Sequence, residues 1–265
     1  LEPVLASWQA QRRFELWSYA TQPRIDGLTQ RLRSRCDGWR DVSPLDDDAL
    51  VHQLRADRLD IVIDLSGHTR HHRLAALAGR VAPLQVSWLG SCSTTGLAEM
   101  DGVVVDEGAA PAGSESQFVE PLLRLSSPVL CFVPPDHEVE LGTPSPGPLR
   151  LACFNRLAKM GDEVVAAWSD ILRRLPGSTL SLQDRALVDP GVCRQVRSRF
   201  EAQGVDAERL QLRPAQPWLD YLAAYRDADL ALDPFPYPGG TTTLEALWMG
   251  VPVLTLAGAT PLARQ

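Results

Sequence analysis

The fold of this chain is decided by the stretch Pro234-Phe-Pro-Tyr-Pro-Gly-Gly-Thr-Thr-Thr-Leu-Glu-Ala-Leu-Trp-Met-Gly-Val-Pro-Val-Leu-Thr-Leu256. It follows a short apolar run, Ala231-Leu-Asp233, and predicts a glycine turn, a helix and a second strand in direct succession. Gly239 and Gly240 permit a tight backbone turn, and the three threonines after them are typical of a helix N-cap and first turn. The order predicts an α/β unit with a helix N-terminus just beyond a strand end.

The same turn predicts an anion site. A helix N-terminus carries unpaired N–H groups and partial positive charge, so a diphosphate can bind there. Gly240, Thr241 and Thr242 would supply the donors. Glu245 lies one turn further along, where a carboxylate is placed to accept hydrogen bonds from a ribose. A capped α/β crossover without a ligand is the alternative interpretation.

Composition limits the functional class. The chain has 265 residues, enough for one large domain or, as we prefer, two moderate ones. With 33 acidic and 26 basic residues the net charge is -7, which argues against a general electrostatic grip on nucleic acid or on an anionic membrane. No apolar run reaches the length of a membrane span. Five cysteines without a Cys-x-x-Cys pair favour a reducing cytoplasm and no metal site.

One basic residue stands apart from the rest. Lys159 is the single lysine in a chain whose other basic residues are all arginine. Codon bias accounts for the arginines, and a lysine retained among them indicates a position that needs a compact ammonium group. Chance is the alternative explanation.

Apolar strands alternate with amphipathic segments in both halves of the chain. Residues 59–65 are almost entirely apolar, which predicts a central parallel strand covered on both faces. We expect residues 1–125 to form part of an N-terminal Rossmann-like half and residues 149–265 part of a second, C-terminal half with a nucleotide-binding type of sheet. Between them, residues 126–148 are rich in Pro and Gly, as linkers are. The predicted strands cover 14–19, 59–65, 84–89, 102–105, 149–154, 178–182, 210–213, 230–232 and 251–256; the predicted helices cover 25–33, 46–55, 73–79, 162–175, 190–203, 217–226 and 242–249.

Four motifs in this order resemble the catalytic region of the protein O-GlcNAc transferase family, including its bacterial and SPINDLY-like members. They are Asp64-Leu-Ser-Gly-His-Thr69, Gln85-Val-Ser-Trp-Leu-Gly90 with Thr94-Thr-Gly96, Phe154-Asn-Arg-Leu-Ala-Lys159, and Leu232 to Pro252. The resemblance implies a GT-B fold, in which two Rossmann-like parallel-sheet domains face each other across a cleft, both of them incomplete in this chain. It also implies a glycosyltransferase that uses UDP-GlcNAc as donor, inverts the anomeric centre, modifies Ser or Thr of an acceptor protein or peptide, and requires no metal. An upstream helical repeat region would select those acceptors.

The resemblance also assigns site residues. It places Lys159 on the donor diphosphate with Thr241 and Thr242, and Glu245 on the ribose. Ala215 falls in the loop that would contact uracil, and Arg156 occupies a donor-site position where the family commonly has a neutral amide. Thr69 and Gly90 fall in loops like those that line the sugar pocket, and His68 beside them is a candidate catalytic residue.

Some positions depart from the family pattern and keep alternatives open. The usual Gly-Tyr-Pro-Gly loop is Gly90-Ser-Cys-Ser93 here, and Tyr221 stands where a histidine is common. The family's first catalytic strand, with its histidine, would precede Leu1, and its closing helices would follow Gln265. A transferase for another donor, GDP-fucose or UDP-glucose, and a catalytically inactive nucleotide-sugar-binding protein are the alternative functions.

Overall fold

The computed structural model describes residues 1–90, 92–136, 138–143 and 146–265. The chain divides into two compact units, Leu1–Val133 and Pro134–Gln265. Residues 134–136, 138–143 and 146–148 of the predicted linker therefore group with the second unit. Three other positions of that predicted linker, His137, Pro144 and Ser145, lie outside the described residues, as does Ser91 of the Gly90 to Ser93 loop.

The first unit contains two parallel sheets. One pairs β1 with β2, and the other has the strand order β3-β4-β5-β6. The elements are α1 (Glu2–Gln11), β1 (Trp17–Ala20), α2 (Gly27–Arg33), β2 (Gly38–Asp41), α3 (Asp47–Asp57), β3 (Ile61–Asp64), α4 (Leu74–Leu77), β4 (Leu84–Ser87), β5 (Gly102–Asp106) and β6 (Leu122–Leu125).

The position of β3 corrects one sequence prediction. The strand is at the edge of its sheet, not in the centre, and Ile61 and Ile63 are exposed on one face. Val62, on the opposite face, packs against the cluster that α3 and α4 form with Leu50, Leu54 and Leu77. The apolar character of this strand therefore does not reflect burial on both faces among the described residues.

The second unit is one parallel sheet with the strand order β11-β10-β7-β8-β9. Its elements are β7 (Arg150–Cys153), α5 (Asp162–Arg174), β8 (Thr179–Gln183), α6 (Pro190–Glu201), β9 (Leu210–Arg213), α7 (Trp218–Ala223), β10 (Leu230–Leu232), α8 (Thr241–Trp248) and β11 (Val253–Leu254).

The spacing of apolar residues explains how the helices cover this sheet. Val164, Trp168 and Leu172 recur every four residues on α5 and are all buried, together with Phe200 of α6 and Leu180 of β8. On the opposite face, Leu222, Tyr225, Ala246 and Met249 surround Ala152 of β7 in a second cluster. With both faces covered, polar groups remain free to gather at the carboxyl edge of the strands.

Most predicted elements are present within a few residues, and two strands were missed. β2 and β6 have four residues each, and charged side chains (Arg40, Asp41 and Arg124) interrupt their apolar pattern. Such short segments form strands because a neighbouring strand pairs with them, which no local pattern reports. Among the described residues, no helix combines the length and apolarity that crossing a membrane requires.

Candidate functional site

The lysine and the threonine-rich helix meet at one side chain. Lys159 Nζ donates to Asn155 Oδ1 at 3.1 Å, and Thr242 Oγ1 donates to the same oxygen at 3.2 Å. Asn155 follows β7, and Thr242 lies in the first turn of α8 after β10, so two neighbouring strands deliver these groups to one edge of the sheet. The structure thus brings together two groups that the sequence predicts at a diphosphate.

Two further contacts hold the Lys159 ammonium in place. Nζ donates to the carbonyl of Pro238 at 2.7 Å and lies 4.2 Å from the centroid of the Tyr237 ring. Burial lowers the pKa of Lys159, and the nearby Asp233 carboxylate opposes that shift. Its two hydrogen-bond acceptors among the described residues are neutral, so a partly desolvated ammonium at this position would interact strongly with an arriving anion.

Asp233 organises the turn from beneath. Its Oδ1 accepts from the backbone N–H of Gly239 at 2.7 Å and from Asn155 Nδ2 at 3.4 Å, and its Oδ2 accepts from Thr255 Oγ1 at 2.9 Å. Burial raises the pKa of this carboxyl group against the effect of those hydrogen bonds. Asp233 therefore fixes the orientation of Asn155, whose oxygen in turn receives Lys159 and Thr242.

Side chains pack so closely against the Gly239 backbone that this position requires glycine. A Cβ atom at this position would overlap Thr242 Oγ1 and would lie 2.9 Å from Thr243 Oγ1 and 3.1 Å from Asn155 Nδ2. Gly240, the N-cap of α8, uses no side chain as a cap, and its carbonyl accepts from the N–H groups of Thr243 and Leu244 at 3.2 Å each. The first N–H groups of a helix have no intrahelical acceptor, so those of Thr241 and Thr242 are available to a ligand. The Thr241 side chain is exposed.

Glu245 is buried and already accepts two hydrogen bonds. Trp218 Nε1 donates to its Oε1 at 3.0 Å and Tyr221 OH to its Oε2 at 2.9 Å. Each carboxylate oxygen keeps one lone pair, so the acceptor capacity that a ribose hydroxyl needs is present. Burial raises the pKa of Tyr221, so its hydroxyl stays a proton donor to the carboxylate. The role of Glu245 on a ribose stays a prediction.

Ala215 and Arg156 are exposed at the same edge of the sheet. Ala215 lies in the loop between β9 and α7, and Arg156 precedes a short 3₁₀ turn, Leu157–Lys159, that carries the lysine. After burial, the positive charge of Arg156 is a further cause of the lowered pKa of Lys159. The role of Arg156 in donor binding stays a prediction.

In the first unit, His68 and Thr69 lie in one turn after β3. Thr69 Oγ1 donates to the Ser66 carbonyl at 2.7 Å, and His68 Nε2 lies 2.9 Å from the Thr94 carbonyl. A carbonyl oxygen only accepts, so Nε2 carries the proton and Nδ1 is the acceptor of the neutral ring. Gly90 packs on this turn, where a Cβ atom would overlap the backbone of Ser66 and Gly67.

Two buried carboxylates shape these loops. Asp64 accepts from the N–H groups of Ser66 at 3.1 Å and Gly67 at 2.9 Å. Glu120 accepts from Thr94 Oγ1 and from the Thr95 N–H, both at 2.7 Å, and from the Thr95 hydroxyl. Burial would raise the pKa of Glu120, but the hydrogen bonds from Thr95 and Thr94 outweigh it, and the pKa lies below its usual value.

Sequence reasoning missed the supporting residues. Asn155 and Asp233 were predicted only as members of motifs, and no role was predicted for Trp218 or Glu120. A polar residue at the end of a predicted apolar strand was the available signal for Asn155 and Asp233. Glu120 and Trp218 carried no such signal, because their partners are distant in sequence. Within the described ranges, no group of three His, Cys, Asp or Glu side chains is arranged to hold a metal ion.

Comparisons with known proteins agree on one family. The model of "Glycosyl transferase family 41" matches residues 4–139 and 147–265. A protein of Arabidopsis thaliana named "Probable UDP-N-acetylglucosamine--peptide N-acetylglucosaminyltransferase SPINDLY" is 35% identical over 259 residues, which are 93% of this chain and 28% of that protein. The chain thus spans less than a third of the length of this plant relative.

Solved structures extend the likeness to the fold. An O-GlcNAc transferase of Thermobaculum terrenum, solved as a lysine-to-methionine mutant, is 46% identical with a TM-score of 0.91, and the match covers 99% of this chain and 50% of that one. A lipopolysaccharide outer core galactosyltransferase shares the fold at 14% identity and a TM-score of 0.60, over 95% of this chain and 74% of that one. The predicted GT-B fold is confirmed as a partial one.

Proposed function

The chain belongs to glycosyl transferase family 41, and from that premise we propose that it forms the donor-binding part of a transferase that moves GlcNAc from UDP-GlcNAc to Ser or Thr hydroxyls of proteins, with inversion. The observation that carries the proposal is the meeting of Lys159 and Thr242 at Asn155 Oδ1 beside the N-terminus of α8. The family membership supports the reaction class, and this geometry supports the position of the diphosphate.

The chemistry requires donors placed where charge develops. As the glycosidic bond breaks, negative charge grows on the diphosphate of the leaving group. Lys159 and the free N–H groups of Thr241 and Thr242 would stabilise that charge more in the transition state than in the ground state, which is how fixed donors accelerate a reaction. The proposal places positive charge on the diphosphate from the protein itself and therefore needs no metal ion.

His68 is the candidate catalytic residue in the first unit. With its Nε2 proton directed at the Thr94 carbonyl, the neutral ring offers Nδ1 as an acceptor. An acceptor of this kind can take the proton of an attacking hydroxyl or hydrogen-bond the sugar. Thr69 and Gly90 shape the turn that carries it and are proposed to line the sugar pocket.

The remaining elements of the proposal concern partners and compartment. All five cysteine thiols are free of disulfides, which supports a reducing, cytoplasmic environment. The partners are a nucleotide sugar and an acceptor protein or peptide, which a helical repeat region of the longer protein would help to select.

Two measurements test the proposal on the 265-residue chain. Calorimetric titration with UDP, GDP and UDP-GlcNAc identifies the donor, and transfer of radiolabelled sugar to a Ser/Thr peptide measures the reaction. We expect UDP and UDP-GlcNAc to bind and GDP to bind at least tenfold more weakly. We expect His68→Ala to lower transfer and the exposed His52→Ala control to leave it unchanged.

The outcomes separate a uridine donor from a guanosine donor and a transferase from a nucleotide-sugar-binding protein. A preference for GDP would replace the donor with a guanosine nucleotide sugar. UDP binding without transfer, in an assay where a family 41 O-GlcNAc transferase run in parallel modifies the same peptide, would leave a nucleotide-sugar-binding protein. Absence of binding to every nucleotide would refute the diphosphate site.

A further inference from the structure

Gln183 is a buried amide with one end unpaired. It is the last residue of β8 and only 4% of it is exposed. Nε2 donates to the Pro214 carbonyl at 3.3 Å and to Gln216 Oε1 at 3.1 Å. Its Oε1 is buried and has no hydrogen-bond partner in the described part of the chain. An unpaired buried carbonyl is costly, so its retention calls for an explanation.

The Pro214 carbonyl fixes the orientation of both amides. A carbonyl oxygen only accepts, so Gln183 must turn its NH₂ group toward Pro214 and not its oxygen. That same NH₂ group also donates to Gln216, so Gln216 must accept with its Oε1 atom. The NH₂ group of Gln216 is thereby turned away from Gln183. Gln216 is exposed, and this NH₂ group makes no hydrogen bond to the residues that the structure describes.

The position of Gln216 relative to the diphosphate site points to its target. Thr242 lies in the first turn of α8, Glu245 lies one turn further along, and Glu245 accepts from Trp218, two residues beyond Gln216. A nucleoside diphosphate orders its parts as phosphate, ribose and base. With phosphate at Thr242 and ribose at Glu245, the base reaches the loop that carries Gln216.

We propose that Gln216 determines base specificity by donating its NH₂ group to a carbonyl oxygen of uracil, and that Gln183 is the positioning residue that orients it. This rests on the proposed function. Uracil presents O4 as an acceptor where cytosine presents an amino group, which is a donor. An NH₂ group held outward can donate to O4 of uracil, whereas it would face another donor, the amino group, in cytosine. Gln183 Oε1 stays unpaired because the Gln183 amide must keep its NH₂ group toward Pro214 and Gln216 to orient the Gln216 side chain.

The test compares affinities for UDP, CDP and inorganic pyrophosphate by calorimetry. The wild-type chain is expected to prefer UDP over CDP by about tenfold or more. Gln216→Glu replaces the outward donor with an acceptor at almost unchanged shape, so the preference should fall to parity or reverse. Gln183→Leu removes the orienting donor, so the preference should fall several-fold. Pyrophosphate affinity should change less than threefold in Gln183→Leu, because no base is present.

Gln203→Glu supplies the matched control, since it adds the same charge at an exposed position after α6. It should leave the UDP to CDP ratio unchanged and report any general electrostatic loss. Thermal unfolding verifies that each variant folds. A UDP to CDP ratio that stays at the wild-type value in folded Gln216→Glu would overturn this inference while pyrophosphate binding upholds the diphosphate site. If the wild-type chain bound none of the three ligands, the proposed function would be overturned, and this inference with it.

Discussion

Lys159 and Thr242 donate to the same oxygen, Oδ1 of Asn155, although they are 83 positions apart in the chain. A single amide oxygen therefore joins the one lysine to the first turn of α8. On the other side of the same amide, Asn155 Nδ2 donates to Asp233 Oδ1 at 3.4 Å. When an anion approaches, both donors are already placed, and little conformational entropy remains to be lost.

Lys159→Ala should weaken UDP binding. Loss of a charged hydrogen bond to the diphosphate is expected to cost about 1.5–3 kcal/mol, or roughly 10- to 150-fold in Kd. Calorimetry with UDP measures the change. Arg174→Ala is the control, because it removes one positive charge from an exposed side chain at the end of α5. Equal Kd values for Lys159→Ala and wild type would remove Lys159 from the diphosphate site.

UDP affinity should decline as the pH rises, and the decline should begin at a lower pH than for a lysine with an unshifted pKa. Burial lowers the pKa of Lys159 from 10.5, so in the free protein the ammonium loses its proton below that pH. An arriving diphosphate favours the charged form, so binding near the lowered pKa takes up a proton. Kd measured from neutral pH to 10.5 should rise through this range. Lys159→Ala should lack the effect, and a flat wild-type profile would contradict the assignment.

Gly239→Ala should disturb the turn that precedes α8. The added methyl group overlaps Thr242 Oγ1 and crowds Asn155, so we expect a loss of about 1–3 kcal/mol in the free energy of unfolding. UDP affinity should fall about tenfold, equivalent to 1.4 kcal/mol. Urea denaturation and calorimetry provide the two readings.

Gly161→Ala is the matched control for this change. A Cβ atom at Gly161, the N-cap of α5, meets nothing within 4 Å, and its φ of -62 suits alanine. Its effects on both quantities should be clearly smaller. If the two variants behave alike, the close packing of Gly239 is not what positions Thr242.

Glu120→Gln should destabilise the first unit in a pH-dependent way. The carboxylate accepts from Thr94 and Thr95, and its pKa is held below 4.5 in the folded protein. Its contribution is therefore fully present above pH 4.5 and is lost as the pH falls through the lowered folded pKa. At neutral pH the variant should lose about 1–3 kcal/mol.

Denaturation of both proteins at a series of pH values checks this prediction. The gap between wild type and Glu120→Gln should be constant from pH 7 down to 4.5 and then narrow. A gap that widened on acidification would mean that the hydrogen bonds do not outweigh burial at this carboxyl group.

Features set by interactions between residues close in sequence were predicted correctly, whereas features set by distant residues were not. α5 was predicted over 162–175 and is present at Asp162–Arg174, because a four-residue apolar spacing specifies both the helix and its buried face. β3 was correctly predicted as a strand but wrongly placed in the centre of its sheet. The neighbours of a strand are not encoded in its own alternation, so its position in the sheet required the tertiary structure.

The site divides in the same way. The sequence by itself determined the glycine turn, the start of a helix within one residue of Thr241 and the lone ammonium of Lys159, because turn chemistry, capping and residue identity are local properties. Only the tertiary structure decided that Asn155 joins Lys159 to Thr242, that Trp218 and Tyr221 occupy Glu245, and that Pro214 orients Gln183. Those relations are hydrogen bonds between strand ends, loops and helices that are distant in the chain, and they exist only once the parallel sheet and its helices have packed together.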